Sequence, residues 1–176
     1  MTIYRKDYRK PSFELPKIEL IFHLNPTQTR VVSKLYFQNC DLSKEIFLNG
    51  LDLKLLSINL DKYNLTKDGL SFTPTEKNFV LETEVQINPL ANTKLMGLYV
   101  SNGLFTTQNE AEGFRYITYF PDHPDVMSRY TCTIVANKKD YPVRLSNGNI
   151  IAENDHQITY EDPFAKPCYL FALVAG

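Results

Sequence analysis

A two-residue period runs across residues 79–87, with Phe79, Leu81, Thr83, Val85 and Ile87 sharing one parity and, after Val80, the polar Glu82, Glu84 and Gln86 on the other. A period of two puts one face on a core and the other in solvent, which only an extended strand can use. The same period governs the stretch from Lys17 to Leu24. There Ile18, Leu20, Phe22 and Leu24 alternate with Lys17, Glu19, Ile21 and His23, and Asn25-Pro26 ends the run. Residues 30–38 are rich in β-branched and aromatic side chains, and 45–48 and 53–60 are further candidate strands. In the second half, residues 95–100, 114–120, 130–136, 143–145 and 157–160 read as strands. Lys67-Asp68-Gly69 predicts a tight hairpin, and Asn147-Gly148, between Leu145 and Ile150, predicts another. Only residues 122–128, with Pro124, suit a short helix or turn. With no long amphipathic helix, repeat or linker, the pattern predicts an all-β sandwich formed by one domain over residues 1–176.

The bulk properties narrow the function. A chain of 176 residues with 43% hydrophobic and 22% charged side chains is long enough for a real core. A formal net charge of -1 argues against nucleic acid as a partner. Arg5, Lys6, Arg9 and Lys10 form a basic cluster interrupted by Asp7, read as a solvated segment. The first residues have no apolar run of the secretory kind, and no stretch approaches the roughly 20 apolar residues of a membrane span. Cys40, Cys132 and Cys168 are odd in number and far apart, which favours buried reduced thiols and a cytoplasmic setting. The uncharged run from Tyr169 to Gly176 reads as a buried strand, an unusual terminus that suggests a chain continuing further.

Sites for chemistry are sparse. There is no H-E-x-x-H, and His23, His123 and His156 lie too far apart to suggest a metal cluster. No G-x-G-x-x-G, P-loop or G-x-S-x-G is present, so the residues offer no catalytic machinery, metal ligands or cofactor site. Glu110 with Glu112, and Asp122 with Asp125, are carboxylates at short spacing, but neither pair has the partner that acid–base work requires. The eleven tyrosines and eleven phenylalanines read as core. Gln108 and Glu110 are two apart, just before the aromatic run at 114–120. In a strand they would share a face and present an amide and a carboxylate to a small cation such as a peptide's free amino group. From spacing alone, Glu110 reads as a solvated loop carboxylate.

The chain resembles the N-terminal domain of the bacterial aminopeptidase N family, zinc metallopeptidases of the gluzincin group. The matching stretches are Tyr4-Arg-Lys-Asp-Tyr-Arg-Lys-Pro11, Leu48-Asn-Gly-Leu-Asp-Leu-Lys-Leu55 and Glu110-Ala-Glu-Gly-Phe-Arg-Tyr-Ile-Thr-Tyr119. Tyr141-Pro142, Leu145-Ser-Asn-Gly-Asn149 and Asp162-Pro-Phe-Ala-Lys-Pro-Cys-Tyr-Leu-Phe-Ala-Leu-Val-Ala-Gly176 follow in the same order. The resemblance implies a saddle-like β-sandwich of mostly antiparallel strands that packs on a catalytic domain of the same chain. That domain would carry zinc, H-E-x-x-H and G-x-M-E-N, none of which is present here. It further implies that Glu110 helps bind the α-amino group of a peptide substrate and that Gln108 lines the same subsite. This piece would then be a non-catalytic part of an enzyme that removes N-terminal residues from peptides. The alternative is a freestanding β-sandwich binding module. Two positions depart from the family pattern: Asn109, where Cys is common, and His123, where Arg is usual, which puts a salt bridge in the 122–125 turn in question.

Overall fold

The computed structural model describes residues 4–176; the first three positions of the amino-terminal segment, and the side chain of Asp7 in the basic cluster, lie outside it. The strands are β1 (Glu14–His23), β2 (Thr29–Gln38), β3 (Ile46–Asn49), β4 (Lys54–Ile58), β5 (Asn64–Thr66), β6 (Gly69–Phe72) and β7 (Phe79–Ile87). They continue as β8 (Gly97–Ser101), β9 (Leu104–Gln108), β10 (Ser128–Val135), β11 (Arg144–Ser146), β12 (Asn149–Glu153), β13 (Gln157–Lys166) and β14 (Leu173–Ala175). Four short 3-10 turns are the only helical elements among the described residues. No helix there is long and apolar enough to cross a membrane.

The strands form an all-β sandwich. A seven-stranded sheet runs β12-β13-β10-β1-β2-β7-β4, a four-stranded sheet runs β11-β14-β9-β8, and a three-stranded sheet runs β3-β6-β5. All named ladders are antiparallel except β1 with β10, which pairs Ile18 with Tyr130 and Phe22 with Ile134 at the centre of the large sheet. Ile18, Leu20 and Phe22 are buried, as are Leu81, Thr83, Val85 and Ile87, so the period-two faces point inward as their spacing requires. Phe22 stacks on Phe171, which precedes β14 of the four-stranded sheet. Phe37, Phe72 and Phe79 close the contact with the three-stranded sheet. Lys67-Asp68 makes the β5–β6 hairpin.

Three expectations need correction. Residues 114–120 are not a strand: Phe114–Tyr116 is a 3-10 turn, and only Phe120 bridges to Asn49. Phe114, Ile117 and Phe120 are all buried, with Phe114 packed on Phe120, Tyr130 and Phe171, so the segment fills space between layers and burial overrides strand propensity. Asn147-Gly148 is not a hairpin. Gly148 does take a positive φ of 89°, but β11 pairs with β14 and β12 with β13, so the turn carries the chain from one sheet to the other. The third concerns β9, an unanticipated strand paired with β8 across Asn102-Gly103.

Candidate functional site

Gln108 is the last residue of β9 and lies opposite Gly97 of β8. Beyond it the chain turns at once: the Gly113 amide donates to the Asn109 carbonyl at 2.8 Å, and Phe114–Tyr116 follows as one 3-10 turn. Glu110 is therefore in a turn and not in a strand, and the face-sharing expected of Gln108 and Glu110 does not hold. A different device keeps both outside. Asn109, between them, is 2% exposed and its Nδ2 donates to the Phe171 carbonyl at 2.7 Å. With the middle residue fixed inward, Gln108 and Glu110 flank it on the exposed surface.

The tightness of this corner has a steric cause. A Cβ on Gly113 would sit 2.2 Å from the Gln108 carbonyl oxygen, and one on Gly97 would sit 2.7 Å from the Tyr116 Cβ. Two glycines let the turn fold back on the end of its own strand. Thr118 then ties the segment to the large sheet, its Oγ1 donating to Ser33 Oγ at 3.1 Å, and Ser33 shares a 2.9 Å hydrogen bond with Thr83.

The two glutamates differ. Glu112 pairs with Arg115 Nη2 at 3.2 Å. Among the described residues, the Glu110 carboxylate and the Gln108 side-chain amide take part in no hydrogen bond or ion pair, which leaves both available to a ligand. Glu110 and Glu112 thus do not act as a pair. Asp122 and Asp125 are separated too: Asp125 accepts from the Tyr8 hydroxyl at 2.8 Å, while the Asp122 side chain is 1% exposed and ion-paired to Arg115 Nε at 2.9 Å. The salt bridge at the 122–125 turn therefore comes from Arg115, and His123 is exposed and has no part in it.

Sequence reasoning missed Arg115 and Asp122 as partners. They lie seven apart across a segment that is neither α-helix nor strand, so no periodicity relates them, and the signal was only that a lone arginine sits inside an aromatic run. Cys168 also joins them, its thiol donating to Asp122 Oδ1 at 3.0 Å. Burial, first, and the adjacent Asp122 charge push that thiol well above its ordinary pKa, so it stays a protonated donor. Among the described residues no three His, Cys, Asp or Glu side chains are placed to hold a metal ion. An open cleft of about 810 Å³ lies beside Tyr63, Phe72 and Phe79, and neither Gln108 nor Glu110 lines it. The corner at the end of β9 presents two exposed polar side chains, Gln108 and Glu110, side by side on the surface.

The chain is similar to known proteins. Residues 22–170 match the model of the peptidase M1 N-terminal domain. Aminopeptidase N of Caulobacter vibrioides is 47% identical over 97% of this chain, and aminopeptidase N of Escherichia coli is 42% identical over 98%. The chain spans about a fifth of each relative, 21% in both cases. Among solved structures, Legionella pneumophila aminopeptidase A in complex with aspartic acid superposes with a TM-score of 0.86 at 35% identity, over 97% of this chain and 22% of that one. An M1 zinc metallopeptidase from Deinococcus radiodurans, at 15% identity and a TM-score of 0.77 over 94% of this chain and 42% of its own, shares the fold. Matched by family model, by sequence and by fold along nearly its whole length, the chain belongs to the peptidase M1 N-terminal domain family.

Proposed function

We propose that residues 1–176 are one domain of a cytoplasmic zinc aminopeptidase, and that its Glu110 carboxylate, with Gln108, binds the free α-amino group of a peptide substrate. The observation that carries this is the outward pair at the end of β9, held by inward Asn109 and without partners of its own among the described residues. A carboxylate beside an amide suits an ammonium: the charge is matched and the remaining N–H donors find acceptors. The relatives are about five times as long as this chain and leave room for a catalytic domain that would face this corner and close the subsite. That domain would also hold zinc. On this reading the domain contributes no group to bond breaking. It fixes the chain end, so that only a peptide with a free amino terminus is held in register. The same length difference favours an enzyme part over a freestanding binding module.

Glu110→Gln in the full-length enzyme preserves shape and removes charge. Truncating one partner of a desolvated pair costs about 2–5 kcal/mol, roughly thirty- to several-thousand-fold in kcat/KM. Zinc content should not change. Glu112→Gln is the control: its pair with Arg115 is exposed on the Glu112 side and worth about 0–1 kcal/mol, so the loss should stay under about tenfold. Near-full activity of Glu110→Gln with loss in Glu112→Gln would move the assignment two residues along.

A further inference from the structure

We propose that Asp122 and Arg115 are positioning residues for the amine-binding corner, a buried ion pair that sets where the Glu110 carboxylate stands. The inference rests on the amine-binding reading of Glu110.

The segment from Asn109 to Arg115 is fastened at both ends; Gly113 and Phe114 are buried within it, and residues 110–112 form its exposed part. At its start, Asn109 Nδ2 donates to the Phe171 carbonyl. At its end, Arg115 makes three donations to one residue: its backbone amide (3.2 Å) and Nε (2.9 Å) to Asp122 Oδ2, and Nη2 (3.4 Å) to the Asp122 carbonyl. The Arg115 carbonyl accepts from the Leu51 amide at 2.9 Å, so backbone and side chain are both fixed. Asp122 is held in turn by the Cys168 thiol on Oδ1 and by Asn49 Oδ1, which accepts from its amide at 3.1 Å. Cys168 opens the 3-10 turn Cys168–Leu170 and Phe171 follows it, so both fastenings lead to the same short piece of chain. Glu110 lies between them.

A buried ion pair is a poor choice for stability alone, because desolvation offsets most of the attraction and an apolar replacement often does as well. Its advantage is direction. A planar guanidinium gripping a carboxylate and a carbonyl together permits one orientation of the Arg115 turn, and with it one course for the preceding residues. The remaining Nη2 contact, to Glu112, draws that carboxylate to the Arg115 side and leaves Glu110 as the unpaired acid of the two.

Two measurements test this. In the 176-residue chain, amide hydrogen exchange is compared for Arg115→Gln, Asp122→Asn and the conservative Arg115→Lys. Exchange across residues 110–116 should quicken by about tenfold or more in the first two and less in the third, with the β1, β2 and β10 amides unchanged. Arg115→Gln, at the rim of the core, covers the case in which Asp122→Asn does not fold. In the full-length enzyme, Arg115→Gln should lower kcat/KM by about tenfold or more, mainly through KM, and lose most of that effect when Glu110→Gln is already present. If Glu110→Gln by itself changes nothing, the amine reading fails while the exchange result still judges the fastening. Unchanged exchange at 110–116, a uniform rise over the whole sheet, or full additivity with Glu110→Gln would each overturn the positioning role.

Discussion

The thiols show how far burial sets chemistry at a single residue. Cys40, Cys132 and Cys168 are all buried, and burial raises the pKa of each, Cys132 from 9.0 to about 12. None should react with an aromatic disulfide reagent at pH 8 in the folded protein, and all should react in denaturant. Stability follows from the same shift. A folded-state pKa above the unfolded value means the native state holds the proton more tightly. The contribution is therefore complete below about pH 9 and disappears as pH rises towards 12. For Cys132, three units correspond to at most about 4 kcal/mol. Denaturant titrations across this range should show a falling alkaline limb that is shallower in Cys132→Ala. Tyr130 and Tyr160, also raised mainly by burial, should keep some of the slope. At this scale the sequence was legible in part. Three unpaired cysteines in apolar surroundings read correctly as core. Glu110 could be singled out, but not the inward Asn109 that orients it, because an asparagine at a strand end gives no sign of which way it points.

Among elements, strands with one buried face were legible and space-filling segments were not. Residues 79–87 match β7 at both ends because the two-residue period of the sequence is the period of burial from Leu81 to Ile87. Residues 114–120 are as aromatic as any strand, but no ladder runs along them beyond the single bridge of Phe120 to Asn49, and Phe114 and Ile117 are buried at a spacing of three. Asn147-Gly148 has the local chemistry of a hairpin; which strands flank a turn in space is decided elsewhere. Asn147 shows this, with Nδ2 donating to the Leu170 carbonyl and Oδ1 accepting from the Ala172 amide, just before β14. The corner after β9 supplies the prediction here. Gly113 has an ordinary φ of -80°, so on backbone grounds Gly113→Ala should be neutral or stabilising by about 0.4–1 kcal/mol. A Cβ there would instead meet the Gln108 oxygen at 2.2 Å and the Asn109 Cα at 2.7 Å, both backbone. We expect a loss of about 1–3 kcal/mol in thermal or denaturant unfolding. Stabilisation would show that the turn gives way.

For the whole molecule, alternation and turn spacing announced a sandwich, but not its partition into sheets of seven, four and three strands, which depends on pairings between distant segments. The proposed division of labour makes a direct prediction: the purified chain should bind no stoichiometric zinc and release no amine from aminoacyl-nitroanilides. Chelator-sensitive hydrolysis by a clean preparation would contradict it. The lone parallel pair, β1 with β10, also orders events in time. The Ser128 hydroxyl at the start of β10 donates to the Leu15 carbonyl, 113 residues away in sequence. On a ribosome, β1, β2, β4 and β7 emerge early and can zip together locally, while the inner flank of β1 waits for a strand made much later. Until β10 arrives, that flank is an open row of amides and carbonyls beside Ile18, Leu20 and Phe22, an invitation to any passing strand. The nascent protein therefore passes through an interval in which its own future centre is a sticky edge, and a chaperone would have most to shield there.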